Sequence, residues 1–157
     1  IEKLALSSKR SCKFNLPRPL LKKDNCDFSF SGLKTSVRKI ISNGIRKEEK
    51  YELANELQNS ICDCLSSKLE KAIFIFKDKY KPSHVILSGG VASNKFIRKK
   101  IKRVCEKHSM FFYAPSLSLC VDNATMIAWA GIEKMINGDK GDNVCLSPRP
   151  RWSLEEL

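Results

Sequence analysis

His84-Val85-Ile86-Leu87-Ser88-Gly89-Gly90-Val91-Ala92-Ser93-Asn94 decides the fold class. The first four residues read as a buried strand, the two glycines as a tight turn, and Ser93 or Asn94 as the cap of a following helix. That helix runs to about His108, with Phe96, Ile97, Ile101 and Val104 as its inward stripe. Met110-Phe111-Phe112-Tyr113 is a second short strand, ended by Pro115. Strand, turn, helix and strand in this order predict an α/β arrangement, a sheet covered by helices.

Upstream, Lys47 to Tyr80 contains neither Gly nor Pro, and Leu53, Leu57, Ile61, Leu65, Leu69, Ala72 and Phe76 recur every three or four positions. The spacing predicts one long amphipathic helix, or two with a bend, stopped at Lys81-Pro82. The first thirty residues read as extended or looped, because Pro17 and Pro19 push the residues before them out of helical geometry. Asp27-Phe28-Ser29-Phe30-Ser31 alternates as a half-buried strand would, and a helix follows from Leu33 to Ile41, closed by Asn43-Gly44. Downstream, a helix spans Ala124 to about Ile136 with Gly138 as its stop, and the tail from Ser147 to Trp152 is irregular.

With 157 residues the chain is long enough to bury a core, and 42% hydrophobic with 29% charged residues excludes wholesale disorder. Apolar runs such as Ala72-Ile73-Phe74-Ile75-Phe76 stop far short of the roughly 20 residues that a membrane helix needs. The N-terminal stretch lacks a secretory apolar segment. Lys and Arg number 29 against 17 Asp and Glu, a net charge of +12. That excess suits a polyanionic partner or plain solubility. The seven cysteines form no C-x-x-C pair, and Cys62 and Cys64, two apart on a helix, point in different directions. Scattered buried thiols in a reducing compartment are the expectation, which places the protein in the cytoplasm, with the mitochondrial matrix as the alternative.

Three features carry candidate chemistry. Gly89 and Gly90 remove two Cβ atoms at a helix start, which serves either a turn needing positive φ or a ligand pressed against the backbone. Asn94 is either the cap of the basic helix or an amide offered to that ligand. Asp122, just before the last helix, is either its cap or an anionic metal ligand. The basic residues Lys95, Arg98, Lys99, Lys100, Lys102, Arg103 and Lys107 spread around their helix as solvated surface or as a nucleic-acid face. His84 and His108 lack the spacing that sets two imidazoles on one helical face, and no H-E-x-x-H, Walker loop or G-x-S-x-G is present.

Asp27-Phe28-Ser29-Phe30-Ser31-Gly32-Leu33-Lys34-Thr35, then Ser88 to Asn94, then Cys120-Val121-Asp122-Asn123-Ala124-Thr125-Met126-Ile127-Ala128-Trp129-Ala130-Gly131 closely resemble the TsaD family. These are the tRNA N6-adenosine threonylcarbamoyltransferases, formerly called O-sialoglycoprotein endopeptidases or glycoproteases. The closing Arg149-Pro150-Arg151-Trp152 is similar to the bacterial and mitochondrial branch.

The resemblance implies a partial actin/Hsp70/sugar-kinase-like (ASKHA) fold, in which residues 1–157 form the C-terminal lobe of a two-lobed enzyme. It implies transfer of threonylcarbamoyl from threonylcarbamoyl-adenylate to N6 of adenosine 37 in ANN-reading tRNAs. Gly89 and Gly90 match the family's adenosine-lining turn, Asn94 an adenylate contact, and Asp122 the aspartate ligand of an iron or zinc ion. The two other metal ligands of the family are histidines of an H-x-x-x-H motif, which this sequence does not contain. The implied partners are tRNA, the adenylate, and in bacteria a TsaB-like paralogue and a TsaE-like ATPase. The expectation is a C-terminal portion of the enzyme, inactive by itself because one carboxylate does not hold the metal. A nucleotide- or partner-binding lobe without activity is the alternative, and the metalloendopeptidase of the older name lacks any supporting motif.

Overall fold

The computed structural model describes residues 1–8, 13–81, 83–141, 145, 147–150 and 153. The readings that rest on Cys12, Pro82, Arg151 and Trp152 lie outside the described residues. The chain divides into two compact units, Ile1–Val121 and Asp122–Leu157.

The first unit is organised on one continuous helix, α3 (Lys47–Lys79); α1 (Glu2–Leu6) and α2 (Ser31–Ser42) precede it. Of the two alternatives, the structure has one unbroken α-helix of 33 residues, with no Gly or Pro to interrupt its hydrogen-bond ladder. After it come strand β1 (His84–Ile86), a 3-10 turn (Gly90–Ser93), α4 (Lys95–Lys107), strand β2 (Phe111–Tyr113) and a second 3-10 turn (Leu117–Cys120). The strands are parallel, with Val85 opposite Phe112, and α4 forms the crossover between them. The predicted strand–turn–helix–strand unit is present, and the chain is α/β with a small parallel sheet.

The main core lies between α3, α4 and the sheet. Ile97, Ile101, Val104 and Cys105 pack against Cys62, Ile73 and Met110, with Val85 and Phe112 closing the cluster from the sheet. A second cluster joins Leu16, Leu33 and Leu53. Cys62 and Cys64 do diverge. Cys62 enters the α3–α4 core, whereas the Cys64 thiol faces the carbonyl of Pro19 at 3.8 Å. The six described cysteines are free thiols. Burial pushes the Cys62 thiol up to about 11 and raises Cys64 and Cys105 in the same direction, so these sulfurs pack rather than react. No helix among the described residues is long and apolar enough to cross a membrane.

Three local expectations give way. The chain opens with a short helix, α1, because Ala5 is buried and α1 packs on α3, where local signals alone read loop. Asp27–Ser31 is no strand. Phe28 and Phe30 stack on each other at 6.0 Å and stay exposed, because no strand among the described residues pairs with this stretch. Ser31 already begins α2, two residues before the predicted start, and Asn43 ends it with Gly44 at φ +81°. Finally, β1 is buried on one face only. Val85 turns inward while Ile86 stays 75% exposed, because helices cover one face of the sheet among the described residues.

Residues 13–25 lie along α3 and are read by its polar side chains at helical spacing. Glu56 accepts from the Leu16 N–H at 3.2 Å and from Arg18, which also donates to Asp63 at 3.0 Å. Ser60 donates to the Pro17 carbonyl at 2.8 Å. Buried Lys68 donates to the carbonyls of Lys23 and Asn25 at 2.8 and 2.7 Å. The prolines keep this segment extended, so its backbone groups need partners, and α3 supplies them.

At the α3 N-terminus, Glu49 pairs with Lys13 and accepts from the Arg46 N–H at 2.8 Å and its guanidinium at 3.0 Å. The Lys13 hydrogen bond first, then the two from Arg46, hold the Glu49 carboxyl at about 2. Its folded value lies below its unfolded one, so its stabilisation is complete above about pH 4.5 and is lost as pH falls toward 2. Glu49→Gln is expected to flatten the acid limb of stability between those values while leaving the neutral-pH slope unchanged. Urea midpoints across pH 2–7 check this, and an unchanged acid limb would refute it.

Candidate functional site

The turn between β1 and α4 opens onto a cavity of about 300 Å3. Gly90, Ser93 and Asn94 from the turn line it together with Gln58 and Ile61 of α3 and Glu2 of α1. The two glycines differ in function. Gly89 sits at φ +83°, so the turn itself demands it. Gly90 has no such φ, and a Cβ there would meet only the Cys120 carbonyl at an ordinary 3.9 Å. Its missing side chain is therefore not required by the chain's own packing, and Gly90 lines the cavity.

Asn94 is the cap of α4: its Oδ1 accepts from the Ile97 N–H at 3.0 Å. Its Nδ2 donates to Gln58 Oε1 at 2.8 Å. Ser93 is turned aside, donating to the Gly90 carbonyl at 2.7 Å. The Lys95 N–H donates to the Glu2 carboxylate at 2.8 Å. Two amides of the α4 N-terminus are thus taken by protein side chains, which leaves less of the positive helix end for an anion than the glycine turn alone suggested.

Arg98 leaves the basic surface to which the sequence assigned it. Its guanidinium donates to the Ala92 carbonyl, to the Pro115 carbonyl at 2.7 Å and to Cys120 Sγ at 2.9 Å. It staples the two 3-10 turns together, and so fixes the cavity wall. Lys95, Lys99, Lys102, Arg103 and Lys107 remain on the exposed face. Lys102 pairs with Glu106 at 3.8 Å and Lys107 with Glu70 at 2.9 Å. Among the described residues no carboxylate lies within ion-pair distance of Lys95, Lys99 or Arg103.

In the second unit, α5 (Ala124–Ile136) is capped by Asn123, whose Oδ1 accepts from the Met126 N–H at 3.0 Å. The capping role offered for Asp122 therefore belongs to its neighbour, and Asp122 is exposed. Asn137 and Gly138, at φ +86°, end α5 as expected. Among the described residues no group of three or more His, Cys, Asp or Glu is placed to hold a metal. His84 stacks on Phe111 and meets the Tyr113 ring at a tilt, and His108 lies 3.7 Å from Glu70.

Sequence reading missed Gln58 and Glu2. Gln58 had a signal, because Ala54, Gln58, Ile61 and Leu65 share one helical face and a lone amide on an apolar face asks for a partner. Glu2 had none, since its partner Lys95 is 93 positions away.

Known proteins bear directly on this arrangement. The family model for TsaD, tRNA N6-adenosine threonylcarbamoyltransferase, matches residues 1–129. Proteins named tRNA N6-adenosine threonylcarbamoyltransferase are similar to this chain. The one from Paramagnetospirillum magneticum is 36% identical over 147 residues, covering 91% of this chain and 42% of that protein. The one from Brucella ovis is 37% identical over 162 residues, covering 99% and 44%. The one from Gluconobacter oxydans is 35% identical over 164 residues, again covering 99% and 44%. The chain spans less than half the length of these curated relatives. With a family match over most of its length and relatives 35–37% identical across nearly all of it, the chain belongs to the TsaD family of tRNA N6-adenosine threonylcarbamoyltransferases.

Proposed function

We propose that these residues form the adenosine-contacting C-terminal lobe of a two-lobed, ASKHA-type enzyme. That enzyme transfers threonylcarbamoyl from threonylcarbamoyl-adenylate to N6 of adenosine 37 in ANN-reading tRNA. The observation that carries the reading is the cavity that joins Gly90 and Asn94 to α3 in a chain of this family. Its apolar wall, with Ile61 and Ile97, suits the flat face of a base, and the amides suit ring nitrogens that accept. The Glu2 carboxylate on the same rim suits hydroxyls that donate, as a ribose does.

A metal belongs to this proposal, iron or zinc by resemblance, with Asp122 as one ligand. The described residues by themselves do not fit such a centre, which needs three or more donors. What these residues do is bind the nucleoside end of the adenylate and orient it. The partners in the proposal are tRNA, the adenylate, a TsaB-like paralogue and a TsaE-like ATPase, and its location is the cytoplasm.

Two experiments test the reading. The 157-residue chain, mixed with tRNA, threonylcarbamoyl-adenylate and iron or zinc, is expected to yield no modified adenosine. Joined in place of the matching part of the Brucella ovis protein, it is expected to support the modification, and Asp122→Ala is expected to abolish it. A folded chimaera that leaves tRNA unmodified overturns the proposal.

Phosphate contact is proposed for the outward face of α4. Reversing Lys95, Lys99 and Arg103 to glutamate in the chimaera is expected to weaken tRNA binding at least tenfold at low salt and to make it less salt-dependent. Filter binding at several salt concentrations reads both, and unchanged affinity removes α4 from the tRNA path.

A further inference from the structure

We infer that Gln58 is a second nucleoside-binding amide, one that also fixes the orientation of Asn94. The inference deepens the proposed adenosine reading and rests on it.

The Ile97 N–H is a donor, so Asn94 must present Oδ1 to it, at 3.0 Å. Its Nδ2 is then committed to the side of α3, where Gln58 must answer with an acceptor, and Oε1 lies there at 2.8 Å. The helix end has thus dictated both amide orientations in turn. Gln58 is 4% exposed, so rotating it away would strand the Asn94 donor beside a packed helix.

Each primary amide carries two N–H donors, and only one of the four is used between the pair. Gln58 Nε2 makes no hydrogen bond among the described residues and is not sealed off as a buried unsatisfied atom, and its residue lines the cavity with Asn94 and Gly90. Two helices that meet at one hollow therefore present donors to it. A ligand group with acceptors in a plane, such as a purine ring edge, satisfies them. A phosphate is the poorer fit, because the Glu2 carboxylate sits on the same rim.

Neutral adenosine is the probe, so that charge added by a variant does not act on a phosphate. The 15N-labelled chain is titrated and followed at the side-chain amides of Gln58 and Asn94 and at the backbone amides of Gly89 and Gly90. All four are expected to shift along one saturation curve. Gln58→Glu keeps an acceptor for Asn94 but loses the donor. It is expected to leave the Asn94 side-chain amide slow to exchange and to weaken adenosine about three- to tenfold. Gln58→Met loses both groups and is expected to speed that exchange as well as weaken binding at least as much. Should the methionine variant fail to fold by circular dichroism, the glutamate variant decides.

Glycine amides that shift while the Gln58 amide stays still, with wild-type affinity in Gln58→Glu, overturn the donor role and leave the adenosine reading intact. Unchanged Asn94 exchange in a folded Gln58→Met overturns the orienting role, whether or not nucleoside binds. Absence of any shift at Gly89, Gly90 and Asn94 overturns the adenosine reading itself, and the donor role with it.

Discussion

Glu56→Ala is expected to destabilise the fold by about 2–4 kcal/mol, more than any exposed charge removal in this chain. Glu56 is 8% exposed and accepts from both the Leu16 N–H and the Arg18 guanidinium. Its loss leaves a backbone donor and a partly buried cation without their shared acceptor. Arg18 keeps Asp63 at 3.0 Å, so the penalty falls short of a wholly stranded charge. The damage is expected to be local before it is global. Residues 13–25 should loosen from α3 and become open to trypsin at Lys22 and Lys23. Glu70→Ala is the control, because its hydrogen-bonded ion pair with Lys107 is solvent-exposed, and it should cost under about 1 kcal/mol. Urea unfolding and timed proteolysis check both variants. Equal losses would mean that the segment is held by apolar packing of Leu16 rather than by this acceptor.

Asn94 separates stability from binding. Asn94→Ala removes the α4 cap and strands Gln58 Oε1, a combined loss of about 2–3 kcal/mol. Asn94→Asp keeps an oxygen for the Ile97 N–H, and Gln58 answers by turning its amide over to donate. Stability is expected to stay within about 1 kcal/mol of the parent chain. The turned Gln58 then shows an oxygen to the cavity where a donor stood. Adenosine binding is expected to fall about tenfold or more in both variants, although only one is unstable. Chemical denaturation paired with the adenosine titration reads the two effects apart. An aspartate variant that binds adenosine like the parent would show Asn94 to be a cap and nothing more.

Much of this was legible in the sequence because it is local. The α3 helix follows from a long run without Gly or Pro and with apolar residues at helical spacing. The α5 bounds, Ala124 to Ile136, follow from the polar Asp122-Asn123 pair before it and Gly138 after it, although the cap falls on Asn123 and not on Asp122. The glycine turn and Asn94 were legible because positive φ and capping are set by residues within one turn of chain. What failed locally did so for want of a neighbour. Asp27–Ser31 alternates like a strand, but a strand exists only where a ladder partner lies alongside.

The sequence alone therefore determined the helices from α2 onward, where the turn falls and which residue types gather around it. Only the tertiary structure decided what the polar side chains of α3 are for. Glu56, Ser60 and Lys68 look like a solvated face, yet they bind a segment some 40 positions earlier, and Gln58 meets Asn94 across 36 positions. The physical reason is that a buried polar group is stable only when matched, and the match is made by chain that the helical period cannot see.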